Sequence, residues 1–290
     1  PPFEHQTTIA DFHFKKGCTL DGSDVGVGKT PPMIVVLQRR ITSGDLTRIL
    51  IVCRNSGLDN WANEIKAWSD MSAIILQGTK KKRVELLGQE ANIYLLNYEG
   101  VRVIQQYLMA KDFDAIICDE IHWIKNYRAQ VTKAILALAK YIPVRKGMTG
   151  TLLTRSIEDV WSIAQFISPA ILATNYWGFR NKYMVNKNTA KPWMNFPDWQ
   201  PKPGAAEEIK RKLAPHMIRF KKREVLKWLP PVLFERRSVE LSTDQRRAYR
   251  ELKQHFITEL EDGEVLAAPQ ILTRITKLLQ MTSGFTYREA

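Results

Sequence analysis

Between Cys18 and Thr151 short apolar runs alternate with longer amphipathic ones, and this alternation restricts the fold more than any other feature of the chain. Six short runs, most of them too apolar and too short to be anything but buried, read as strands. They are Cys18–Leu20, Arg48–Cys53, Ala73–Leu76, Ile93–Leu96, Ala115–Cys118 and Val144–Met148. The stretches Met33–Arg40, Asn60–Trp68, Lys81–Leu87, Val101–Leu108 and Val131–Lys140 repeat apolar residues every three to four positions, as helices returning along a sheet do. The pattern predicts an α/β fold, a parallel sheet covered by helices.

At 290 residues the chain can bury a sizeable core without disulfides. Cys18, Cys53 and Cys118 each adjoin a predicted strand, lack metal-type spacing, and read as buried, reduced thiols. After Phe166 the strand pattern stops. The stretch from Asn175 to Pro231 mixes aromatic residues, basic residues and prolines, which predicts an inserted helical subdomain with a loop at Pro201, Pro203 and Gly204. Val232–Leu241 then alternates as a strand does. Ser242 and Gln245 form a capping-box pattern for a helix from Thr243 to about Leu260, and Ile271–Gln280 reads as the last helix. The expected division is 1–168 for the α/β lobe, 169–231 for the insertion and 232–290 for the closing strand and helices.

Two patterns carry chemistry. Ser23-Asp24-Val25-Gly26-Val27-Gly28-Lys29-Thr30 lies between the first strand and the helix after it, where backbone amides and a helix N-terminus can cradle phosphates. In this reading Asp24, Gly26, Val27 and Gly28 line a nucleotide, Lys29 reaches its β- and γ-phosphates, and the Thr30 hydroxyl holds magnesium. Ser23 stands where the general pattern has its first glycine, and Pro31 brings no amide. A glycine-rich turn without a ligand is the alternative. Asp119-Glu120-Ile121-His122 follows the strand Ala115–Cys118, which puts two acids at the carboxyl edge of the sheet, where ligands of open α/β folds bind. Such a pair can divide the work, Asp119 holding magnesium and Glu120 orienting and deprotonating the attacking water. Acidic residues at a helix start are the alternative here.

Gly26 to Thr30, Asp119 to His122 and Thr149-Gly150-Thr151 resemble, in order and spacing, motifs I, II and III of superfamily-two helicases. More narrowly, Asp119-Glu120-Ile121-His122-Trp123-Ile124-Lys125-Asn126, Met148-Thr149-Gly150-Thr151-Leu152-Leu153 and Glu158-Asp159-Val160-Trp161-Ser162-Ile163 resemble the Swi/Snf family. Ile51-Val52-Cys53 through Asn60-Trp61 and Glu64 resembles motif Ia, and Asn97-Tyr98-Glu99 resembles motif Ib. Met217-Ile218-Arg219 with Lys222, Val225, Leu229, Pro230 and Pro231 resembles the segment joining that family's inserted helices to a later strand. The resemblance spans nearly the whole chain. It implies a RecA-like P-loop lobe with ATP and magnesium as cofactors, double-stranded DNA gripped through its backbone, and a second RecA-like lobe in cis or trans. It further implies that Gln6 of the His5-Gln6 pair reads adenine, although Pro2 and Phe3 stand where the family usually has leucine and a basic residue; stacking of Phe3 on the base is the alternative. Thr149, Gly150 and Thr151 would couple nucleotide state to lobe closure, with His122 contacting them; simple strand-end hydrogen bonding is the other reading of the threonines. Arg54, Asn55, Ser56, Asn97, Tyr98, Lys221 and Lys222 are the expected nucleic-acid contacts.

Charge agrees with such a partner: 43 Lys and Arg against 30 Asp and Glu give a net charge of +13, which favours a polyanion. Lys80-Lys81-Lys82-Arg83 and Lys221-Lys222-Arg223 can neutralise phosphates or form solvated helix faces. Tyr176, Trp177, Phe179, Tyr183, Trp193, Phe196 and Trp199 are expected to fill a core rather than stack on bases. The function these readings predict is the ATP-binding N-terminal lobe of a DNA-dependent ATPase that translocates on duplex DNA. A nucleotide-switched DNA-binding module without its own turnover is the second reading, and a small kinase, which has no evident acceptor site here, the third. Nothing after Thr243 reads as motif V or VI, so a truncated chain, nearly inactive alone, is expected. Pro1 to Asp11 lacks the basic start and apolar stretch of a secretory signal, and no run approaches the ~20 apolar residues of a membrane span. The expectation is an intracellular protein without a membrane partner, cytoplasmic in a bacterium or phage-infected host, or nuclear in a eukaryote.

Overall fold

The alternating runs fold into a seven-stranded sheet in which every pairing is parallel. The computed structural model describes residues 2–150, 156–190, 197–230, 235, 238, 240–255, 257–259, 265–267 and 271–284. Two units divide the chain, Pro1–Leu229 and Pro230–Ala290.

In the first unit, strands β1 (Cys18–Asp21), β2 (Ile49–Cys53), β3 (Ala73–Ile75), β4 (Ile93–Asn97), β5 (Ala115–Asp119) and β6 (Val144–Met148) fall on the six expected runs. Helix α1 (Glu4–Lys15) precedes them, and α2 (Thr30–Thr42), α3 (Leu58–Trp68), α4 (Lys80–Leu87), α5 (Tyr98–Val103), α6 (Gln105–Met109), α7 (Gln130–Ala139) and α8 (Asp159–Ile167) lie between and after them. The single helix expected over Val101–Leu108 is instead the pair α5 and α6, separated at Ile104, whose φ of −119° and ψ of 22° leave the helical region. Helix α1 was not anticipated because half its buried face is histidine: His5, Ile9, Ala10 and His13 point inward. Helix α8 is buried nearly all round, from Val160 to Ile167.

The segment expected as a helical insertion supplies α9 (Tyr176–Tyr183), an antiparallel hairpin of β7 (Met184–Asn186) and β8 (Trp199–Pro201), α10 (Ala205–Leu213), β9 (Met217–Ile218) and α11 (Lys222–Val225). Strand β9 is not part of a separate layer. It pairs with β1 as the seventh strand of the main sheet, too short for any sequence pattern to reveal. Tyr176, Phe179 and Tyr183 are buried, and the Arg180 guanidinium lies 5.1, 5.2 and 4.5 Å from the ring centres of Tyr176, Trp177 and Trp199, so these aromatics are core and its margin. Trp193 and Phe196 lie outside the described residues.

Strand order is β3-β4-β2-β5-β6-β1-β9. Alternate residues feed the two faces: Leu50, Val52, Tyr94, Leu96, Ile116 and Cys118 enter one core, and Ile49, Ile51, Cys53, Ile93, Leu95 and Ile117 the other. Each such aliphatic side chain contributes roughly 1.5–3 kcal/mol by leaving water. Cys53 and Cys118 are buried as expected, and burial pushes the Cys53 thiol up to about 12; Cys18 is only partly covered. Register then fixes the functional edge. Asp21 and Asp119 both pair with Met148, Cys53 pairs with Asn97, and Ile218 pairs with Asp21. The carboxyl ends of six strands therefore lie side by side in the order Asn97, Cys53, Asp119, Met148, Asp21, Ile218.

The second unit contains α12 (Thr243–His255), an antiparallel hairpin of β10 (Ile257–Glu259) and β11 (Val265–Ala267), and α13 (Ile271–Thr282). The capping box opens α12: Gln245 N donates to Ser242 Oγ at 3.2 Å and Ser242 N to Gln245 Oε1 at 3.1 Å. Ala248, Leu252 and Met281 form its small buried cluster. The strand expected over Val232–Leu241 falls largely outside the described residues. Among the described residues no helix is long and apolar enough to cross a membrane.

Candidate nucleotide site

Strand β1 ends at Asp21 and α2 begins at Thr30, and the loop between them is held open by two glycines. Gly26 and Gly28 have φ of 83° and 77°, a conformation glycine adopts without a Cβ clash. Their amides donate to no described residue. Lys29 Nζ turns into the loop, donating to the carbonyls of Ser23 at 2.7 Å and Asp24 at 3.2 Å. Pro31 and Pro32 occupy the first turn of α2, where a missing amide breaks no intrahelical bond.

Two distant segments fix this loop. From α1, His5 Nε2 lies 2.9 Å from the Val27 carbonyl and Gln6 Nε2 donates to the Gly28 carbonyl at 3.1 Å, while Gln6 Oε1 accepts from Phe3 N at 3.0 Å. Gln6 also borders an apolar cavity of about 170 Å³ lined by Ala10, Pro31, Pro32, Val35 and Trp68. From beyond β9, the Phe220 carbonyl accepts from Asp24 N at 3.0 Å and Lys222 N donates to Asp24 Oδ2 at 2.9 Å. Underneath, Asp21 Oδ1 accepts from Ser23 N at 2.8 Å, in a buried polar layer shared with His13 and Lys146. Burial lowers the His13 pKa and brings Lys146 down to about 7, so both resist carrying charge beneath the loop.

The acidic pair sits two strands away. Asp119 Oδ2 accepts from Trp61 Nε1 at 2.9 Å, its Oδ1 from Glu120 N at 2.9 Å, and its carbonyl from Tyr98 OH at 2.7 Å. Burial raises the Asp119 pKa above the usual carboxylate range; the Trp61 hydrogen bond opposes this, the Glu120 charge adds to it, and Lys29 pulls it back down. Glu120 has φ of 52° and ψ of 49°, left-handed backbone that costs a non-glycine residue roughly 1–2 kcal/mol. That turn brings Glu120 Oε2 to 3.1 Å from His122 Nδ1, which is 3.1 Å from Thr149 Oγ1. Thr149 Oγ1 in turn donates to Glu120 Oε2 at 3.4 Å, and Thr149 N to the Asp21 carbonyl at 2.9 Å. Gly150 packs on the loop so closely that a Cβ there would lie 2.4 Å from Val25 Cγ2. Thr151 lies outside the described residues.

The donor set suits a magnesium triphosphate: one ammonium, open amides, a helix N-terminus, a hydroxyl and one carboxylate. Magnesium is usually held by one or two protein oxygens together with substrate phosphates. Accordingly, among the described residues no cluster of three or more His, Cys, Asp or Glu forms a cage for a metal alone.

The expected nucleic-acid residues separate. Arg54, Asn55 and Ser56 follow β2, and the Arg54 guanidinium lies 5.7 Å from the centre of the Trp123 ring. Trp123 is 49% exposed and stacks on Tyr98 at 6.0 Å. Tyr98 itself is buried, its hydroxyl committed to Asp119, and Asn97 Oδ1 accepts from Gly100 N and Arg83. Lys221 pairs with Glu224 at 3.1 Å, and Lys222 lies against the loop Gly22–Lys29, at the opposite end of the edge from Arg54. Trp61 as the partner of Asp119, and Phe220 as a loop anchor, were not foreseen; both contacts join residues too far apart in the chain for spacing to reveal.

A sequence model of the SNF2-related domain matches residues 13–283. DNA excision repair protein ERCC-6-like 2 of Mus musculus is 31% identical over 186 residues, covering 55% of this chain and 12% of that protein. An uncharacterized ATP-dependent helicase of Mycoplasma genitalium is 26% identical over 263 residues, covering 90% of this chain and 24% of that protein. Among solved structures, the Sulfolobus solfataricus SWI2/SNF2 ATPase core in complex with dsDNA shares the fold with a TM-score of 0.65 and 22% identity, covering 97% of this chain and 58% of that one. The chain thus spans at most 24% of the length of these two curated relatives.

Proposed function

The chain belongs to the SNF2-related domain family, and from that premise we propose that it is the ATP-binding lobe of a DNA-dependent ATPase that translocates on double-stranded DNA. One observation carries this reading. Lys29, Asp119, Glu120, His122 and Thr149, from three separate segments, converge on adjacent strand ends, with Glu120, His122 and Thr149 in mutual hydrogen-bonding reach. Lys29 and the loop amides hold phosphates, Thr30 and Asp119 hold magnesium, and Glu120 orients water and accepts its proton. His122 and Thr149 fix the Glu120 carboxylate, and Gln6 and the cavity beside it receive the base. Bound magnesium neutralises phosphate charge.

At the other end of the edge, Arg54 and Trp123 meet the DNA backbone. The charge that develops on phosphoryl transfer also needs a cation from the opposite side, worth ~10³–10⁵ in rate. A second RecA-like lobe, in cis or in trans, supplies it in this proposal. A phosphate-release assay tests the whole reading. With the second lobe tethered or added, duplex DNA should stimulate turnover, and Glu120→Gln should abolish it while leaving magnesium-ATP affinity within about twofold. Turnover that ignores DNA and survives Glu120→Gln overturns the proposal.

A further inference from the structure

Met217–Lys222 runs alongside the phosphate loop as a continuation of the β1–β9 pairing. Gly22 N donates to the Ile218 carbonyl at 2.8 Å and Asp24 N to the Phe220 carbonyl at 3.0 Å, the two-residue step of a parallel ladder prolonged past both strand ends. Side chains add to it: Phe220 N donates to Ser23 Oγ at 2.9 Å and Lys222 N to Asp24 Oδ2 at 2.9 Å. The loop therefore has a second strand for a wall, and Lys222 is fixed by its own backbone at the rim.

The three cations of this wall are used differently. Lys221 Nζ is paired with Glu224, and Arg219 lies 3.9 Å from Asp24 Oδ1. Lys222 Nζ has no carboxylate partner among the described residues, and it stands 3.5 Å from where a Cβ on Gly26 would lie. The Gly26 amide donates to no described residue. An ammonium without a carboxylate partner, beside a glycine whose amide is open, is the charge-assisted donor set of an anion site. The same wall explains an acid in such a loop. The Asp24 carboxylate, which would otherwise repel phosphate, is occupied by Lys222 N and neighbours Arg219.

We propose that Lys222 is a second phosphate-binding cation of this site, delivered by the Met217–Lys222 wall and acting beside Lys29. The inference rests on the nucleotide-binding reading above and assigns Lys222 to nucleotide, where its sequence context alone had suggested nucleic acid. An ammonium acts through charge, so its contribution should grow with the number of phosphates on the ligand.

Calorimetric titration of the chain with magnesium-ATP, magnesium-ADP and AMP tests this. Lys222→Ala should weaken magnesium-ATP by about tenfold, magnesium-ADP by less, and AMP by no more than about twofold. Lys222→Arg should recover most of the loss. Lys140→Ala, which removes an exposed charge at the end of α7, should change nothing. A retained melting temperature and AMP affinity show that the Lys222 variants are folded. Equal losses for all three nucleotides, or no loss for magnesium-ATP, overturn the assignment of Lys222. A wild-type chain that binds no magnesium-ATP overturns the nucleotide reading itself, and with it this inference.

Discussion

At the β1 end of the sheet's carboxyl edge, the loop Gly22–Lys29 is bonded to α1 on one side and to Met217–Lys222 on the other, whereas at the β2 and β4 end Arg54 and Trp123 face solvent over a buried Tyr98. In the first region Ser23, Asp24 and Lys29 are each held by a partner before any ligand arrives. The second has one rigid support and a loose cation. The difference fits the two ligands proposed for these ends. A small, highly charged ligand repays preorganised donors, because ordering them after binding would subtract from affinity. A polymer backbone presents the same phosphate at every step, and contacts that position it need charge and reach more than fixed geometry.

If the two ends are separate sites, they should respond separately. The largest effect is expected from Asp119→Asn, which should lower magnesium-ATP affinity by about 10–100-fold and leave duplex affinity within about twofold. The same change should raise the melting temperature of the nucleotide-free chain by about 2–4 °C. Burial holds the Asp119 pKa above its unfolded value. Its contribution to stability is therefore complete below the unfolded pKa and is lost as pH rises through the folded one. The gap between variant and wild type should widen from acid toward neutral pH, as scanning fluorimetry across a pH series can show. A destabilised Asp119→Asn chain would mean that the Trp61 and Glu120 hydrogen bonds outweigh the cost of burial.

A smaller effect is expected at the other end. Arg54→Ala and Trp123→Ala should each weaken nucleotide-free binding to a random duplex by about 3–10-fold, and Arg54→Ala should reduce the salt slope by about 1, without changing magnesium-ATP affinity. Fluorescence anisotropy over a salt series measures both. Loss of ATP affinity in Arg54→Ala, or of duplex affinity in Asp119→Asn, would break the division of the edge into two sites.

Much of this was legible in the sequence, and the exceptions share a cause. Strands such as β2 and β4 showed because burial on both faces leaves a nearly uninterrupted apolar run, as in Ile49-Leu50-Ile51-Val52-Cys53. Lys29, Thr30, Asp119 and Glu120 could be proposed because each lies within a short string beside a strand end. Helix α1 did not show, since His5 and His13 take places where a pattern reader looks for aliphatic residues. Strand β9 offers two residues, below the length at which alternation means anything. The Trp61 bond to Asp119 and the Lys222 wall join residues 58 and 198 positions apart, contacts that only the fold creates. For the same reason Tyr98 and Lys222 carried aromatic or basic character in the sequence without revealing that one is buried under Asp119 and the other lies beside Gly26.

The central claim is that the loop Gly22–Lys29 and the Asp119 edge form one magnesium-nucleotide site, and isothermal titration of magnesium-ATP into wild-type and Lys29→Ala chains tests it most directly. Lys29 is the ammonium turned into that loop, so the account predicts saturable, magnesium-dependent binding by the wild type and a loss of at least about 100-fold in the variant. Equal affinity of the two chains for magnesium-ATP would contradict it.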